Sequence, residues 1–379
     1  MSFGLYVHWP FCAAKCPYCD FNSHVRSVLD EDGWAEAIAT EMVAVASWQG
    51  EARPVVDTVF FGGGTPSLMG ARSLERVLAQ ARRLWRFADD VEITLEANPA
   101  SSEAARFADY ARAGVNRLSL GLQALNDADL KFLGRLHDVR EAKAALALAQ
   151  NLFPRVSLDL IYARPGQSIA AWRAELAEAL SFGTEHLSLY QLTIEPATPF
   201  AAWYRKGAFQ VPDEDHAAAL YEATQELTEA AGLAAYEVSN HARAGAEARH
   251  NLIYWRYGDY AGFGPGAHGR LEIAGHRYAT VGERLPERWR DKVASDGHGY
   301  VERNEIAPQD AAREHLLMNL RLCEGVDLAA YRARWGIALD AARIAALKEA
   351  GLLEEKSGRL AATRRGMLVL NRVIAELAD

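Results

Sequence analysis

The segment LYVHWPFCAAKCPYCDF, residues 5–21, decides how this chain is interpreted. An apolar run leads directly into three cysteines, Cys12, Cys16 and Cys19, spaced C-x3-C-x2-C. Three thiolates from one short loop can hold three irons of a [4Fe–4S] cluster and leave the fourth iron open. Because an open iron can bind a further ligand, the motif indicates chemistry rather than a purely structural role.

Other uses of cysteine fit this pattern less well. A structural zinc site needs four ligands, commonly in paired C-x2-C spacings, and a second pair is absent. A disulfide framework is typical of short secreted chains, whereas this chain has 379 residues and shows no signal-peptide pattern. The fourth cysteine, Cys323 in LRLCEGV, is predicted to be a small buried apolar residue.

The composition predicts a globular protein of a reducing, cytoplasmic compartment. Half of the residues are hydrophobic, which suffices for a large core, and the net charge is −9. Nucleic-acid binders usually carry a basic excess, so we expect no nucleic-acid partner. No apolar run reaches the length of a transmembrane helix.

Six strand-like apolar runs alternate with helical patterns in the first half of the chain. Repeated β-then-α units predict an α/β fold with a parallel sheet and helices outside it. Six units predict a partial (β/α)6 barrel resembling the TIM barrel, with an active site at the carboxyl ends of its strands. The predicted strands are 4–9, 57–61, 91–97, 116–122, 155–162 and 186–192.

The pattern changes after this barrel, predicted to span 1–205. The next region, 206–300, is predicted to be an extension with a helix over 212–232 and an irregular stretch at 236–269, rich in glycine and aromatic residues. Residues 301–379 predict a C-terminal α-rich domain. Its helix, hairpin and helix are similar to a winged-helix unit.

Polar motifs follow the predicted strands. The glycines of FFGGGTPS permit unusual backbone angles and close approach to a ligand, and the G-K-[ST] of a phosphate loop is missing. Asp159 lies inside a strand, where an unpaired charge is costly unless it faces a polar ligand. The motifs are FFGGGTPS at 60–67, LEANP at 95–99, SLGLQALND at 119–127, LGRLHD at 133–138 and DLIYARPGQ at 159–167.

Together these segments resemble the radical SAM proteins. The nearest resemblance, from Tyr6 almost to the C-terminus, is to oxygen-independent coproporphyrinogen III oxidases and the related HemW-type haem chaperones. It implies a [4Fe–4S] cluster and S-adenosylmethionine (SAM) as cofactors, and a C-terminal domain of HemN type. It also implies that SAM chelates the open iron, and that one electron from the reduced cluster can cleave it to methionine and a 5′-deoxyadenosyl radical.

The resemblance also implies roles for individual residues. Cys12, Cys16 and Cys19 would ligate the cluster. The glycine segment would bind the SAM amine, Glu96 the ribose hydroxyls, and an arginine the carboxylate, which its planar fork suits. Arg164 departs from the family pattern and has no assigned role. The implied SAM site comprises Tyr6, Gly62, Gly63, Gly64, Thr65, Glu96, Gln123, Arg135 and Asp159.

Three features favour the chaperone branch. The oxidases carry a fourth cysteine two places after the third, where this chain has Phe21. They also carry a longer extension before the first strand, whereas five residues precede Tyr6 here. HNLIYW at 250–255 matches the H-N-x-x-Y-W segment of the HemW type. An oxidase that decarboxylates coproporphyrinogen III, or another radical SAM reaction, stays the alternative.

The chaperone branch implies haem as cargo. His250 would be the axial ligand, since imidazole commonly ligates haem iron, and Tyr254 and Trp255 would pack on the porphyrin. A structural histidine is the competing interpretation, and His241, His268 and Cys323 are further candidate ligands. The implied recipients are haem proteins such as respiratory enzymes, reached by peripheral contact at the inner face of the membrane.

Overall fold

The computed structural model describes residues 2–378. Met1 and Asp379, at the outer ends of the predicted domains, lie outside the described residues. The largest element of the fold is a twelve-stranded mixed sheet. The strands are β1 (Phe3–Trp9), β2 (Phe11–Cys12), β3 (His24–Val25), β4 (Val56–Gly63), β5 (Phe87–Ala97), β6 (Arg117–Gln123), β7 (Arg155–Tyr162), β8 (His186–Gln191), β9 (Ala234–Ala235), β10 (Asn240–Ala242), β11 (Asp259–Phe263), β12 (His268–Ile273), β13 (His276–Gly282), β14 (Tyr300–Glu305), β15 (Val326–Asp327), β16 (Leu353–Lys356) and β17 (Arg359–Ala362).

The predicted (β/α) barrel is confirmed. The six predicted strands are β1, β4, β5, β6, β7 and β8, which pair in that order and all run parallel. The first and last strands of the large sheet are not paired with each other, so the barrel stays open. Because both faces of such a sheet are covered, its strands read as nearly continuous apolar runs.

Helices connect the parallel strands and cover the outside of the barrel. A capping box, which the sequence DVRE at 138–141 already indicates, is present at the start of the helix that begins at Val139, where Asp138 and Glu141 cap each other's backbone N–H groups. The helices are α1 (Glu31–Gln49), α2 (Ala71–Leu84), α3 (Ser101–Ala104), α4 (Phe107–Arg112), α5 (Asp127–Phe132), α6 (Val139–Leu152), α7 (Ile169–Ser181), α8 (Pro199–Arg205), α9 (Glu214–Ala230), α10 (Arg249–Trp255), α11 (Pro286–Asp296), α12 (Pro308–Asn319), α13 (Leu328–Trp335), α14 (Ala341–Glu349), α15 (Arg364–Leu368) and α16 (Leu370–Ala378), with a 3-10 turn at Pro66–Leu68.

The prediction of an irregular stretch at 236–269 is wrong. This stretch contains β10, the helix α10 and β11, and β11 pairs in parallel with β1, where Leu5 lies opposite Ala261. Glycines flank β11 and also lie within it, so the alternation of apolar and polar residues typical of a strand is hidden in the sequence. Its partner strand, β1, lies some two hundred and fifty residues earlier in the chain. A seventh parallel strand therefore extends the barrel beyond the six predicted.

Buried apolar side chains form two main cores. The larger core includes residues of the predicted 206–300 extension, such as Phe263, Leu271 and Trp289, beside the barrel residues. Strands β9 to β14 also belong to the barrel sheet, so the predicted extension shares the sheet and core of 1–205. The second core runs from Ala312 to Leu377, inside the predicted C-terminal domain.

The C-terminal region has the predicted helix, hairpin and helix, with β15 as a third strand beside β17. The predicted final helix is divided into α15 and α16. The region joins the barrel near α10, where the Asn319 side-chain amide donates to the Trp255 carbonyl over 2.8 Å. Among residues 2–378, none of the helices combines the length and the hydrophobicity that a membrane-spanning helix requires.

Candidate cluster and SAM site

Cys12 is the last residue of β2, and Cys16 and Cys19 lie in the cysteine loop that follows it and leads to β3. A backbone hydrogen bond from the Cys19 N–H to the Cys16 carbonyl, 3.1 Å long, forms a tight turn. The Thr65 hydroxyl lies 3.3 Å from the Cys12 sulfur, and an Arg135 guanidinium nitrogen lies 3.5 Å from the Cys16 sulfur. Burial raises the pKa of Cys12 and Cys19, so both thiols must lose a proton when they bind metal.

The glycine segment begins at the end of β4, whose last residue is Gly63, and lies against the cysteine loop. Backbone hydrogen bonds of 2.8 Å join Gly64 to the Trp9 carbonyl and Thr65 to the Phe11 carbonyl. Gly63 has a φ of 113°, and a Cβ there would lie 2.6 Å from the His8 ring. A Cβ at Gly64 would lie 2.8 Å from the Phe11 carbonyl oxygen, so larger residues would push the two loops apart.

Two carboxylates face the same cavity from β5 and β7. Burial, with the charge of Asp159, raises the pKa of Glu96 to about 8, and the Gly63 N–H donates to it over 3.3 Å. Burial raises the pKa of Asp159 to about 6, opposed by hydrogen bonds from Ser119 and Ser188. Both groups therefore bind protons more tightly than exposed carboxyl groups do.

Gln123 and Arg135 complete the wall beyond β6. Gln123 has a φ of 71°, in the left-handed region that residues other than glycine rarely adopt, and such strain is common at functional sites. Arg135 donates to the Gly121 carbonyl over 3.0 Å and also to the Asn98 side-chain oxygen. Arg135 is therefore part of the cavity wall. Sequence reasoning missed Asn98, although it lies in the LEANP motif.

One cavity of about 520 Å³ brings most of these side chains together. The cavity combines thiols, carboxyl groups, an amide and a guanidinium with a glycine segment, and these groups suit a cluster and an amino-acid ligand. Within the described residues, the Arg135 Nε is buried without a hydrogen-bond partner, so it can donate to a ligand bound there. The predicted residues that line the cavity are Cys12, Cys16, Cys19, Gly63, Gly64, Thr65, Glu96, Gln123, Arg135 and Asp159; Ser119, Tyr190, Gln191, Thr193 and Glu195 line it as well and were not predicted.

The remaining predicted SAM residues, Tyr6 and Gly62, lie immediately behind the cavity. A Cβ at Gly62 would lie 3.0 Å from the Tyr6 ring. Burial, with the charge of Glu96, raises the pKa of Tyr6, so its hydroxyl keeps its proton and can donate to His8 Nδ1 over 3.0 Å. The other nitrogen, His8 Nε2, then donates to the Asn22 carbonyl, which ties β1 to the end of the cysteine loop.

His250, the predicted haem ligand, lies inside the barrel, away from this cavity. It is 1% exposed, and both ring nitrogens are hydrogen-bonded, Nδ1 to the Thr58 hydroxyl and Nε2 to the Tyr254 hydroxyl, each over 2.7 Å. Its ring stacks on Phe60, with 5.1 Å between ring centroids. Ligation of haem iron by His250 therefore requires one of these hydrogen bonds to break.

Arg164, which has no role assigned from the sequence, does not line the cavity. Its guanidinium pairs with Glu175 of α7, and the two side chains are 2% and 8% exposed. It also lies 2.9 Å from an Asp129 oxygen and donates to the Ile161 carbonyl over 2.8 Å. The residue stabilises the packing of α7 behind the site.

We expect the affinity for SAM to rise with pH, most steeply around pH 8, where Glu96 is half ionised. Because the pKa of Glu96 is raised, the group is largely protonated at neutral pH and becomes a pure acceptor for ribose hydroxyls only as pH passes its pKa. Anaerobic calorimetric titration across this range measures the effect. Glu96→Gln is the control, since it removes the titration of Glu96 and keeps that of SAM and of Asp159. Identical pH profiles for both proteins would refute the prediction.

Within residues 2–378, no group of three His, Cys, Asp or Glu side chains is arranged to hold a single metal ion. Each cysteine of a cubane site binds a different iron, so cluster ligands need not converge on one point. The assignment of the cysteines rests on their motif and on the cavity they share.

Comparisons with known proteins agree with this geometry. Residues 6–179 match the model of the Radical SAM superfamily, and residues 306–369 match that of the HemN C-terminal domain. The solved structure of coproporphyrinogen III oxidase (HemN) from Escherichia coli, a radical SAM enzyme, has a TM-score of 0.84 at 22% identity, covering 100% of this chain and 90% of that one. The fold and the site together define a radical SAM protein.

Similarity to curated proteins identifies a family within the radical SAM class. The chain is 38% identical over 378 residues to the haem chaperone HemW of Escherichia coli K12, covering 98% of this chain and 97% of that protein. It is 34% identical over 373 residues to HemW of Bacillus subtilis, covering 97% of each. The bovine mitochondrial radical S-adenosyl methionine domain-containing protein 1 is 38% identical over 385 residues, 99% of this chain and 87% of that one. The chain belongs to the HemW family.

Proposed function

We propose that this protein is a haem chaperone that binds haem and transfers it to acceptor haem proteins. The observation that carries the proposal is the nearly full-length similarity to proteins named as haem chaperones, at 38% identity over 98% of the chain in one case. A second argument is that this chain has Phe21 where the oxidases carry their fourth cysteine. Phe21 is 61% exposed and lines the rim of the cluster cavity.

Cys12, Cys16 and Cys19 would hold the cluster, and the cavity residues would hold SAM. A reduced [4Fe–4S] cluster, when bound, supplies an electron for the cleavage of SAM. The backbone of the glycine segment would donate hydrogen bonds to the SAM amine, while Glu96 and Arg135 would orient the ribose and the carboxylate. Burial of these groups strengthens their electrostatic interactions and excludes water.

The haem would bind near α10, where the HNLIYW segment lies. Burial lowers the pKa of His250 to about 3, so the imidazole is neutral at physiological pH, which is the form that binds metal. We propose His250 as the axial ligand, reached when the side chains of Thr58 or Tyr254 release it. Acceptors would be haem proteins such as respiratory enzymes, supplied from the cytoplasm at the inner face of the membrane.

The reconstituted protein should take up one haem per chain and should not convert coproporphyrinogen III to protoporphyrinogen IX when SAM and a reductant are added. Anaerobic haem titration by absorbance and product chromatography measure the two outcomes in parallel. We expect His250→Ala to shift the haem spectrum and to weaken binding by about tenfold, which corresponds to roughly 1.4 kcal/mol.

His268→Ala is the matched control, because His268 is an exposed histidine and an alternative ligand candidate. An unchanged haem spectrum in His250→Ala, together with a lower melting temperature, would show that His250 has a structural role only. SAM-dependent decarboxylation of the porphyrinogen would contradict the chaperone proposal and favour the oxidase.

A further inference from the structure

We propose that a cavity at the amino-terminal end of the barrel strands binds a carboxylate of a porphyrin; the inference rests on the proposed haem function. This base cavity, of about 220 Å³, lies between α10, α13 and the start of β4. The cluster cavity lies at the carboxyl ends of the strands, so the two are at opposite ends of the barrel. The base cavity is lined by Ser2, Asp57, Thr58, Arg249, Leu252, Ile253, Arg256, Tyr257, Gly258 and Arg334.

Three guanidinium groups give the base cavity its cationic character. Arg249 has carboxylate partners within the fold, at 3.1 Å from Asp90 and 4.0 Å from Asp57. Arg256 pairs with Glu324 through two nitrogens, at 2.9 and 3.2 Å. These two cations are therefore largely balanced by acidic neighbours.

Arg334 has no such partner. In the part of the chain that the structure describes, it forms no ion pair and no side-chain hydrogen bond. Its guanidinium carbon lies 4.8 Å from the ring centroid of Trp335 and 5.6 Å from that of Tyr257. Partial burial and the nearby charge of Arg277 lower the pKa of Arg334, and the charges of Asp259 and Glu272 oppose this shift. The side chain is exposed to solvent and can therefore pair with an anion that enters the cavity.

The base cavity also reaches the HNLIYW segment. Its α10 residues lie within or beside that segment, and Thr58 forms part of the cavity wall. The hydroxyl of Thr58 is the partner of His250 Nδ1, so one side chain lies between the cavity and the histidine proposed as the haem ligand. A ligand seated here would contact the segment directly.

The size and chemistry of the base cavity favour a carboxylate at the edge of a larger ligand. A volume of about 220 Å³ is below the range of cavities that enclose drug-sized molecules, so a tetrapyrrole ring would stay outside. Guanidinium pairs with carboxylate in a planar, bidentate arrangement. The propionate side chains of haem place such a group on a flexible stem at the ring edge.

The proposal is tested by titrating the protein that carries its cluster, but no haem, with haem and with haem dimethyl ester. The propionates of the ester carry no charge. We expect Arg334→Gln to weaken haem binding by about tenfold, in line with the loss of one charge-assisted hydrogen-bonded pair, and to leave ester binding unchanged. Arg334→Lys, which keeps the charge without the fork, should bind haem with intermediate affinity. Arg332→Gln, an exposed arginine of the same helix outside the cavity, is the matched control.

Equal haem affinity in Arg334→Gln and wild type would overturn the proposal, as would equally tight binding of haem and its ester by the wild type. Either result would leave the chaperone function intact, since haem would still bind. Failure of the wild type to bind haem at all would instead overturn both proposals. The melting temperatures of the variants show whether any loss reflects misfolding.

Discussion

Replacing any one of Cys12, Cys16 and Cys19 by serine should remove nearly all of the bound iron and sulfide from the anaerobically reconstituted protein. The motif supplies only three cysteines, and thiolate is the ligand that holds such clusters. The wall of the cavity offers no spare thiol to replace one that is lost. Iron and sulfide assays, with the visible absorbance of the cluster, measure the loss.

The chain offers a matched control for this experiment. Cys323 is exposed, contrary to the expectation of a buried apolar residue, because it follows α12 at a turn outside the barrel. Cys323→Ser should keep the full iron content. A Cys16→Ser protein with an intact cluster, or a Cys323→Ser protein without one, would show that the ligands have been assigned wrongly.

Glu175→Ala should cause the second large effect, a loss of about 3–5 kcal/mol in the free energy of unfolding. The Glu175 carboxylate accepts hydrogen bonds from the Leu125 N–H over 2.7 Å and from the Gln167 amide over 3.2 Å, besides its pair with Arg164. Its removal leaves the Arg164 guanidinium buried without its main counter-ion. Denaturant unfolding, followed by circular dichroism, measures the change.

Glu178→Ala provides the comparison on the same helix. The Glu178 side chain is 41% exposed and pairs with Lys143, so its loss should cost at most about 1 kcal/mol. Similar losses for Glu175→Ala and Glu178→Ala would refute the argument that burial makes the Arg164 pair important. Glu175→Gln removes the charge and keeps only one accepting oxygen, so it tests whether Arg164 and Gln167 need the full carboxylate.

Much of the site could be predicted because the motifs follow parallel strands. Parallel strands place all their carboxyl ends at one edge, so Glu96, at the end of β5, and Gln123, at the end of β6, had to meet. The positions of Asn98 and Tyr190 in the cavity wall could not be predicted. Asn98 contacts Arg135 across thirty-seven residues, and Tyr190 lies in a strand whose alternation does not show which face borders a cavity.

The sequence by itself determined the features that depend on local spacing. The cysteine motif, the six parallel strands and the Asp138 capping box are all readable within windows of a few residues. These features are local because they depend on ligand spacing, apolar periodicity and backbone hydrogen bonding between near neighbours in the chain.

Only the tertiary structure decided which distant segments meet. It paired β11 with β1, turned Arg164 towards Glu175, placed His250 inside the barrel and left Arg334 beside an open cavity. Each of these outcomes depends on contacts between residues far apart in the chain. Local patterns carry no information about such contacts, because the energy that selects them comes from burial and pairing in the completed fold.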